Sequence, residues 1–321
     1  MIKIVGSKTQ LSIKNILYKI SPFIMREFFE RKYKNEILRC AVEVKNDVEN
    51  FFKEEATPLF KFIEIEMINR CNGDCSFCYF GKNDDPRPLA KMSEKNFRKI
   101  IDNLVKLNYD GIIYYHSNGE SLMNENIFDF IKYGVSNLAD ARHILYTNGT
   151  LLNSEKFQKL IDTGLNYLQI NNYSDKLELK PNIKKIYEEY KNKEIKIDCK
   201  IYLRLKNEIL STRGGTAPNR QKIKAPLNTS CYFPFNTLII RADCGVSLCC
   251  NDALGKFTLG NVEEQSLEEI WFGEKFSEIR NSIRRNMRND IEICRECDMI
   301  PAKNGNINYG VSPEFLEKTM R

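Results

Sequence analysis

The sequence has no run of about 18 or more apolar residues, the length that a helix needs to cross a bilayer. Its N-terminus lacks the apolar core and the small-residue cleavage site of a signal peptide. The net charge is only +6, from 49 basic and 43 acidic residues, and the basic residues are spread along the chain. Nucleic-acid-binding proteins usually concentrate such residues on one face or tail. We therefore expect a cytoplasmic protein with no membrane span and no nucleic-acid partner.

Histidine is scarce, with two residues, whereas cysteine is abundant, with eleven. In a reducing compartment, cysteines at short fixed spacings indicate metal binding or catalysis rather than disulfides. Two of them, Cys40 and Cys199, stand alone, and we expect them to be small buried hydrophobic residues. The others fall into three groups: Cys71, Cys75 and Cys78; Cys231, Cys244, Cys249 and Cys250; Cys294 and Cys297.

Hydrophobic periodicity predicts strands and helices in alternation from residue 61 to about residue 204. Such alternation is typical of an α/β domain with a parallel sheet and right-handed crossovers. The predicted strands cover 61–68, 111–117, 141–149, 166–172 and 195–204, and the helices cover 93–107, 127–138, 153–164 and 181–192.

The segments on either side of this region have a different character. Residues 1–60 are predicted to form a mostly helical extension, and residues 61–224 the α/β domain. Residues 225–321 are rich in turns and cysteine and contain one predicted helix at 266–285. We expect this last segment to be a small subdomain that needs a metal to fold.

The first cysteine group has the spacing CxxxCxxC and directly follows the first predicted strand. A [4Fe–4S] cluster held by three such thiolates keeps one iron free for another ligand. Zinc is the alternative, but it needs a fourth ligand, and no further Cys or His precedes the predicted helix at 93.

With the aromatic Phe77 before the last cysteine, this segment resembles the signature of the radical S-adenosylmethionine (SAM) superfamily, and the resemblance extends from residue 61 to about residue 300. It implies a partial (β/α)6 TIM-like barrel in which Cys71, Cys75 and Cys78 hold a [4Fe–4S] cluster. The free iron of that cluster binds S-adenosylmethionine. Reductive cleavage then yields a 5′-deoxyadenosyl radical, which takes a hydrogen atom from the substrate.

The resemblance also implies roles for residues after the second and third strands. Asn118, Gly119 and Glu120 partly match the family's Gly-Gly-Glu-Pro element, which contacts the methionine moiety, although the first Gly and the Pro are replaced. Thr147-Asn148-Gly149 resembles a family turn. Phe77 is expected to shield the cluster. An ordinary turn is the alternative reading of each short motif.

Four further residues are candidates by their position in the resemblance. Asn171 and Ser174 follow the fourth predicted strand, where relatives bind ribose, and Arg204 ends the fifth, where relatives place a basic residue near substrate or cofactor. His116 is a candidate for proton transfer. The alternatives are loop formation for the first three and a hydrogen-bonded structural role for the histidine.

The later cysteines follow the pattern Cx13Gx4C…CxxC. Four such thiolates fit either a [4Fe–4S] cluster or a zinc ion. The segment resembles the twitch form of the SPASM domain, which implies one auxiliary [4Fe–4S] cluster, and either Cys244 or Cys249 is an alternative ligand. The expected ligands are Cys231, Cys250, Cys294 and Cys297.

A cluster with four cysteine ligands has no site for substrate, so we expect it to accept an electron during substrate oxidation. Asp252 is a candidate base, and its alternative role is to cap a turn. The favoured function is oxidation of a sugar or cyclitol, with a flavodoxin or ferredoxin as electron donor. Alternatives are modification of a ribosomal peptide and a non-enzymatic, metal-stapled binding protein.

Overall fold

The computed structural model describes residues 2–5, 22–80, 85–300 and 313–320. The chain divides into two compact units, neither of which is continuous in sequence. The first comprises Met1–Val5, Leu59–Asn207 and Asn236–Gly273, and the second comprises Gly6–Pro58, Glu208–Phe235 and Glu274–Arg321. These units cut the chain at other places than the expected division into 1–60, 61–224 and 225–321.

The first unit is built on a sheet of nine strands in the order β1-β6-β5-β4-β3-β2-β7-β8-β9. In this order, neighbouring strands from β1 to β7 pair in parallel, whereas the β7–β8 and β8–β9 pairs are antiparallel. The expected α/β fold with a mostly parallel sheet is confirmed. The strands are β1 (Ile2–Val5), β2 (Phe62–Ile65), β3 (Ile112–Tyr114), β4 (Arg142–Thr147), β5 (Tyr167–Ser174), β6 (Asp198–Leu205), β7 (Thr237–Ile240), β8 (Gly245–Ser247) and β9 (Thr258–Asn261).

Helices connect the parallel strands and make up most of the second unit. In the described part of the chain, no helix is both long and apolar enough to cross a membrane. The helices are α1 (Pro22–Phe51), α2 (Glu94–Lys106), α3 (Ile127–Asn137), α4 (Ser154–Asp162), α5 (Pro181–Tyr190), α6 (Phe233–Asn236), α7 (Leu267–Trp271), α8 (Glu274–Arg284), α9 (Glu292–Arg295) and α10 (Pro313–Met320).

The helices between the strands begin at the residues that the sequence indicates. Ser93 caps α2, because its side chain accepts the N–H of Asn96 at 3.2 Å. Asn153 caps α4 in the same way, through the N–H of Lys156. The buried face of α2 packs on α3, where the rings of Phe97 and Phe130 stack at 4.3 Å.

The extension 1–60 is not helical at its start. Residues Ile2–Val5 form β1, the edge strand of the sheet, which pairs in parallel with β6 in the register Ile2–Cys199. Three of these four residues are β-branched and favour a strand, but four residues are too few to show a period. Residues 6–21 lie outside the described residues.

The alternation of strands also continues beyond residue 225. β7 pairs in parallel with β2, and Leu238 lies opposite Ile63. All four residues of β7 are buried. A four-residue apolar run between cysteine-rich segments carries little period, and for this reason the pattern did not predict a strand.

The helix expected at 266–285 is two helices, α7 and α8. They are separated at Gly273, where a Cβ would lie 2.6 Å from the carbonyl oxygen of Glu269. The chain can therefore take this path only with glycine. Ser266, the first residue of the predicted helix, caps α7 and forms a full capping box with Glu269.

In the second unit, α1 packs against α8 and α10. Its buried residues recur at helical spacing and include Ile37, Cys40 and Val44. Cys40 is 3% exposed and Cys199, in the sheet of the first unit, is fully buried. Both isolated cysteines are therefore core residues, as expected.

Candidate functional site

The loop 66–80 after β2 carries the first cysteine group at the carboxyl edge of the sheet. Cys71, Cys75 and Cys78 are all partly exposed and lie close enough for their charges to interact. The Cys71 sulfur accepts the N–H of Gly73 at 3.3 Å and the amide of Asn148 at 3.7 Å. A Cβ on Gly73 would lie 3.4 Å from the Cys71 sulfur and 4.0 Å from the Cys75 sulfur, so this glycine keeps the space beside the thiols open.

The cysteine loop is anchored to the end of β6. The Ser76 N–H and hydroxyl both donate to the carbonyl of Lys206, at 2.9 and 3.2 Å. The ammonium of Lys206 lies 2.9 Å from the carboxylate of Asp74. Two loops that are distant in sequence are thereby joined where parallel strands end together.

Phe77 is 5% exposed and packs against Tyr173 of β5, with ring centroids 5.4 Å apart. The guanidinium of Arg204 lies 5.4 Å from the same tyrosine ring, and Tyr173 and Arg204 are register partners. The structure therefore brings two predicted residues, Phe77 and Arg204, into contact with one aromatic ring next to the cysteine loop.

The Asn118-Gly119-Glu120 segment packs directly on the chain that leads to the cysteines. A Cβ on Gly119 would lie 1.8 Å from the carbonyl oxygen of Ile68, so no other residue fits here. The N–H of Glu120 donates to the carbonyl of Arg70 at 2.9 Å. The Asn118 amide points to the hydroxyl of Ser117 at 3.4 Å.

The Glu120 carboxylate is 3% exposed and joins two loops. It accepts the Thr147 hydroxyl at 2.7 Å and the N–H of Asn148 at 2.8 Å, together with the N–H of Leu122. Burial raises its pKa, and these three donors oppose the rise. The contacts give Glu120 a positioning role; its contact with S-adenosylmethionine stays a prediction.

His116 lies at the end of β3 and stacks on Tyr146 of β4, with centroids 4.3 Å apart. Its Nδ1 accepts the N–H of Tyr146 at 3.1 Å, which places the ring proton on Nε2. Burial lowers the pKa of His116 to about 3, so the ring is neutral at physiological pH. It can donate through Nε2 but is a weak base, and its part in proton transfer stays a prediction.

Asn171 and Ser174 lie on β5 rather than after it. The Asn171 side chain accepts the Gln169 amide at 3.0 Å. The Ser174 hydroxyl accepts the N–H of Glu178 at 3.1 Å and so shapes the following turn. Ribose binding by either residue stays a prediction.

The two faces of the sheet differ in the exposure of their side chains. Alternate residues such as Ile63, Tyr115 and Leu145 are buried, whereas several of the residues that point to the opposite face are partly exposed. We call this second surface the open face. Its partly exposed members include Glu64, Tyr114, His116, Tyr146, Gln169 and Asn171.

Asp252 is 2% exposed and lies after β8 in the first unit. Its carboxylate accepts the N–H groups of Lys256 and Phe257 at 2.9 and 3.0 Å, and burial raises its pKa. These contacts make it a turn cap. A role as base stays a prediction.

The later cysteines are distributed over both units. Cys231, Cys294 and Cys297 belong to the second unit and are buried. Cys244, Cys249 and Cys250 belong to the first unit. Cys244 lies in the β7–β8 turn with φ of +68°, and its sulfur accepts the amide of Asn96 at 3.0 Å. Among the described residues no group of three or more His, Cys, Asp or Glu is arranged to hold a single metal ion.

Comparison with known proteins assigns the regions around the first and the later cysteines to known families. The family model described as Radical SAM superfamily matches residues 65–197, and the model described as an iron–sulfur cluster-binding domain, SPASM, matches residues 231–298. The chain belongs to the radical SAM superfamily. It carries a C-terminal SPASM domain, and it is therefore an enzyme that depends on S-adenosylmethionine and iron–sulfur clusters.

A radical SAM dehydrogenase is similar to this chain over nearly the whole length of the dehydrogenase. The S-adenosyl-L-methionine-dependent 2-deoxy-scyllo-inosamine dehydrogenase of Niallia circulans is 27% identical over 249 residues, covering 75% of this chain and 94% of the dehydrogenase. The crystal structure of BtrN in complex with AdoMet and 2-DOIA matches with a TM-score of 0.65 and 25% identity, covering 77% of this chain and 96% of that one. The AdoMet-dependent heme synthase of Methanosarcina barkeri is 29% identical over 111 residues, only 35% of this chain and 30% of the synthase.

The first cysteine loop fits the cluster that radical SAM enzymes use. Burial raises the pKa of Cys71 to about 11 and of Cys75 to about 12, and the neighbouring thiols add to the rise. Both thiols are therefore protonated at neutral pH, and a metal that bound them would have to displace their protons. The Cys71 sulfur accepts hydrogen bonds from Gly73 N and Asn148 Nδ2, and donors of this kind stabilise thiolate ligands.

One charged residue near the loop was absent from the predicted set. The Lys180 ammonium donates to the Thr150 hydroxyl at 2.8 Å and to the Asn148 carbonyl at 3.3 Å. Burial lowers the pKa of Lys180, and the charge of Cys75 opposes that change. The only sequence signal is its place directly before Pro181, at the start of a helix that follows a strand.

Proposed function

We propose that this radical SAM enzyme oxidises a secondary alcohol of a cyclitol or a similar polyhydroxylated small molecule. The observation that carries the proposal is the similarity to a cyclitol dehydrogenase over 94% of that enzyme's length. That similarity extends over 75% of this chain, whereas the similarity to heme synthase is confined to about a third of each chain.

The open face supports this substrate class. It offers hydrogen-bonding side chains next to aromatic residues: the Gln169 amide donates to Asn171 and accepts from the hydroxyl of Tyr167, whose ring lies 6.2 Å from that of Tyr146. Glu64 accepts the Ser117 hydroxyl at 3.1 Å on the same face. A ring with several hydroxyl groups needs such paired donors and acceptors, whereas an apolar substrate would leave them unsatisfied.

When bound, the two clusters and S-adenosylmethionine supply the 5′-deoxyadenosyl radical and an electron acceptor. Oxidation of a secondary alcohol would balance if its C–H hydrogen atom went to the 5′-deoxyadenosyl radical, its hydroxyl proton to a base and its remaining electron to the auxiliary cluster. The residues proposed to hold the first cluster are Cys71, Cys75 and Cys78. Those proposed for the auxiliary cluster are Cys231, Cys250, Cys294 and Cys297.

Within this reaction the chain's own residues position the cofactor loops. Glu120 joins the segments after β3 and β4, and Asn148 in turn contacts Cys71. His116 is neutral and presents an Nε2–H donor, which suits a hydrogen bond to a substrate hydroxyl. A reducing protein of the flavodoxin or ferredoxin type is the proposed electron donor, and the cytoplasm, where thiols stay reduced, is the proposed compartment.

The test is turnover of anaerobically reconstituted protein with S-adenosylmethionine, a chemical reductant and a panel of cyclitols, aminocyclitols and sugars. The expected result is one ketone formed for each 5′-deoxyadenosine. With substrate deuterated at the oxidised carbon, the deuterium should appear in 5′-deoxyadenosine.

A peptide substrate would be indicated if the cyclitol panel left only slow, uncoupled S-adenosylmethionine cleavage while precursor peptides gave coupled turnover. That result would refute the cyclitol proposal. Reconstitution with zinc but no iron would refute the enzyme assignment altogether.

A further inference from the structure

A buried arginine in the second unit lies among the predicted auxiliary ligands. Arg288 occupies the short 3-10 turn Arg288–Asp290 between α8 and α9, and it is only 1% exposed. Cys294 follows in α9, and Cys297 comes one residue beyond the turn that ends α9. A guanidinium is rarely buried so completely unless it is paired with another charge or hydrogen-bonded.

The hydrogen bonds of Arg288 hold the chain around Cys297. Its Nη2 donates to the carbonyl of Cys297 at 3.3 Å and its Nη1 to the carbonyl of Met299 at 3.4 Å. The forked guanidinium therefore bridges the residues on both sides of Asp298. A lysine in this place would keep the charge but would not reproduce the fork.

A second buried arginine has a different partner. Arg220 is bonded to the carboxylate of Asp298 at 2.7 and 3.0 Å. The other oxygen of Asp298 accepts the N–H of Thr212 at 2.8 Å. Asp298 is thus bound by Arg220 and Thr212, whereas Arg288 bonds the backbone carbonyls of the two residues that flank Asp298.

The position of the Arg288 charge is fixed beside a predicted ligand. The hydrogen bond from Nη2 to the carbonyl of Cys297 keeps the guanidinium next to that residue. Because the side chain is only 1% exposed, solvent ions screen its charge little.

We propose that Arg288 is a positioning residue that raises the reduction potential of the auxiliary cluster. Reduction adds one negative charge to a cluster that is already anionic, and a buried cation beside its ligands favours the reduced form. A higher potential makes the cluster a better acceptor for the electron left on the substrate. The inference rests on the proposed auxiliary ligands but does not depend on the substrate.

The test isolates the auxiliary cluster. In the full-length chain with Cys71, Cys75 and Cys78 all replaced by Ala, only that cluster assembles, and its potential is measured by electron paramagnetic resonance during a redox titration. Arg288→Gln removes the charge and Arg288→Lys keeps it. We expect the reduction equilibrium of the Gln variant to fall at least tenfold, about 59 mV for one electron, and the Lys variant to stay nearer the parent.

Arg280→Gln is the matched control. Arg280 is likewise buried in the second unit, 2% exposed, and donates to a backbone carbonyl, that of Pro234, at 2.9 Å. Its guanidinium lies over the rings of Phe51 and Phe276. We expect the potential of this control to match that of the parent.

The outcomes distinguish an effect of the Arg288 charge on the reduction potential from a role of Arg288 in packing alone. An unchanged potential in an iron-loaded Arg288→Gln variant overturns the proposal, and so does loss of iron from both Arg288 variants, which would indicate a packing role. Iron retained by the Lys variant alone, at a potential near that of the parent, supports the need for charge. Absence of iron from the triple-Ala parent refutes the auxiliary centre itself, whatever the substrate proves to be.

Discussion

Glu66 offers a quantitative test of the electrostatics beside the cysteine loop. It directly follows β2, and its carboxyl group is 1% exposed. One oxygen accepts the N–H of Ala242 at 3.0 Å. The other has no hydrogen-bond partner among the residues that the structure describes, and it lies 3.7 Å from the guanidinium of Arg87, which is bonded to Asp85 as well. Burial raises the pKa of Glu66 from 4.5 to about 7, against the opposing charge of Arg87.

The sign of the effect on stability follows from this rise. Below the unfolded pKa of 4.5 the carboxyl is protonated in both states. Between 4.5 and about 7 the unfolded chain loses the proton while the folded chain keeps it, so the free energy of unfolding decreases as pH rises. At about 1.4 kcal/mol for each pH unit, the loss is about 3 kcal/mol across this window. Glu66→Gln should abolish that part of the pH dependence.

The protein contains one tryptophan, Trp271, which is fully buried in the first unit against Phe60. Its fluorescence reports urea unfolding of that unit at pH 4.5, 6, 7 and 8. The control is Glu125→Gln, an exposed carboxylate paired with Lys91, which should follow the wild-type curve. Parallel pH profiles for wild type and Glu66→Gln would refute the reasoning, because the buried carboxyl would then not be the group that titrates.

Three further predictions concern the cofactor loops. Cys71→Ala should abolish formation of 5′-deoxyadenosine, whereas Cys294→Ala should leave its formation intact and block formation of the ketone. Liquid chromatography measures both products. Normal ketone formation by Cys294→Ala would show that the auxiliary cluster takes no part in the reaction. Gly119→Ala should weaken S-adenosylmethionine binding at least tenfold, or about 1.4 kcal/mol, because its Cβ would force Ile68 away; calorimetric titration checks this, and unchanged affinity would contradict the packing. Asn148→Ala should lower the potential of the first cluster by removing a donor to a ligand sulfur, and a redox titration with an unshifted midpoint would exclude that contact.

The alternating strands and helices could be predicted from the sequence alone. The helix face of α2 and the caps Ser93 and Asn153 each rest on contacts within about four residues, which local patterns record. The cysteine groups were equally visible, because their spacing is itself the signal. The family comparisons confirm the function class that these features indicated.

What the sequence did not predict depends on pairing between distant segments. β1 becomes a strand because β6 offers it an edge, and β7 because β2 lies beside it; neither four-residue segment has a pattern of its own. The break at Gly273 depends on crowding by Glu269, which a helical period does not register. Lys180 comes near the cysteine loop only because the parallel strands end at one edge of the sheet.

The departures from the family's Gly-Gly-Glu-Pro element show why a partial motif was enough. Two positions within residues 118–121 are constrained by their contacts in the structure. Gly119 must lack a side chain because of Ile68, and Glu120 must accept the donors of the loop after β4. Both are kept. At the last position Ser121 replaces proline and donates its hydroxyl to the carbonyl of Tyr115 at 2.7 Å, so a hydrogen bond holds the turn where the family uses a ring. The residues that changed are those for which the fold has another way to hold the backbone.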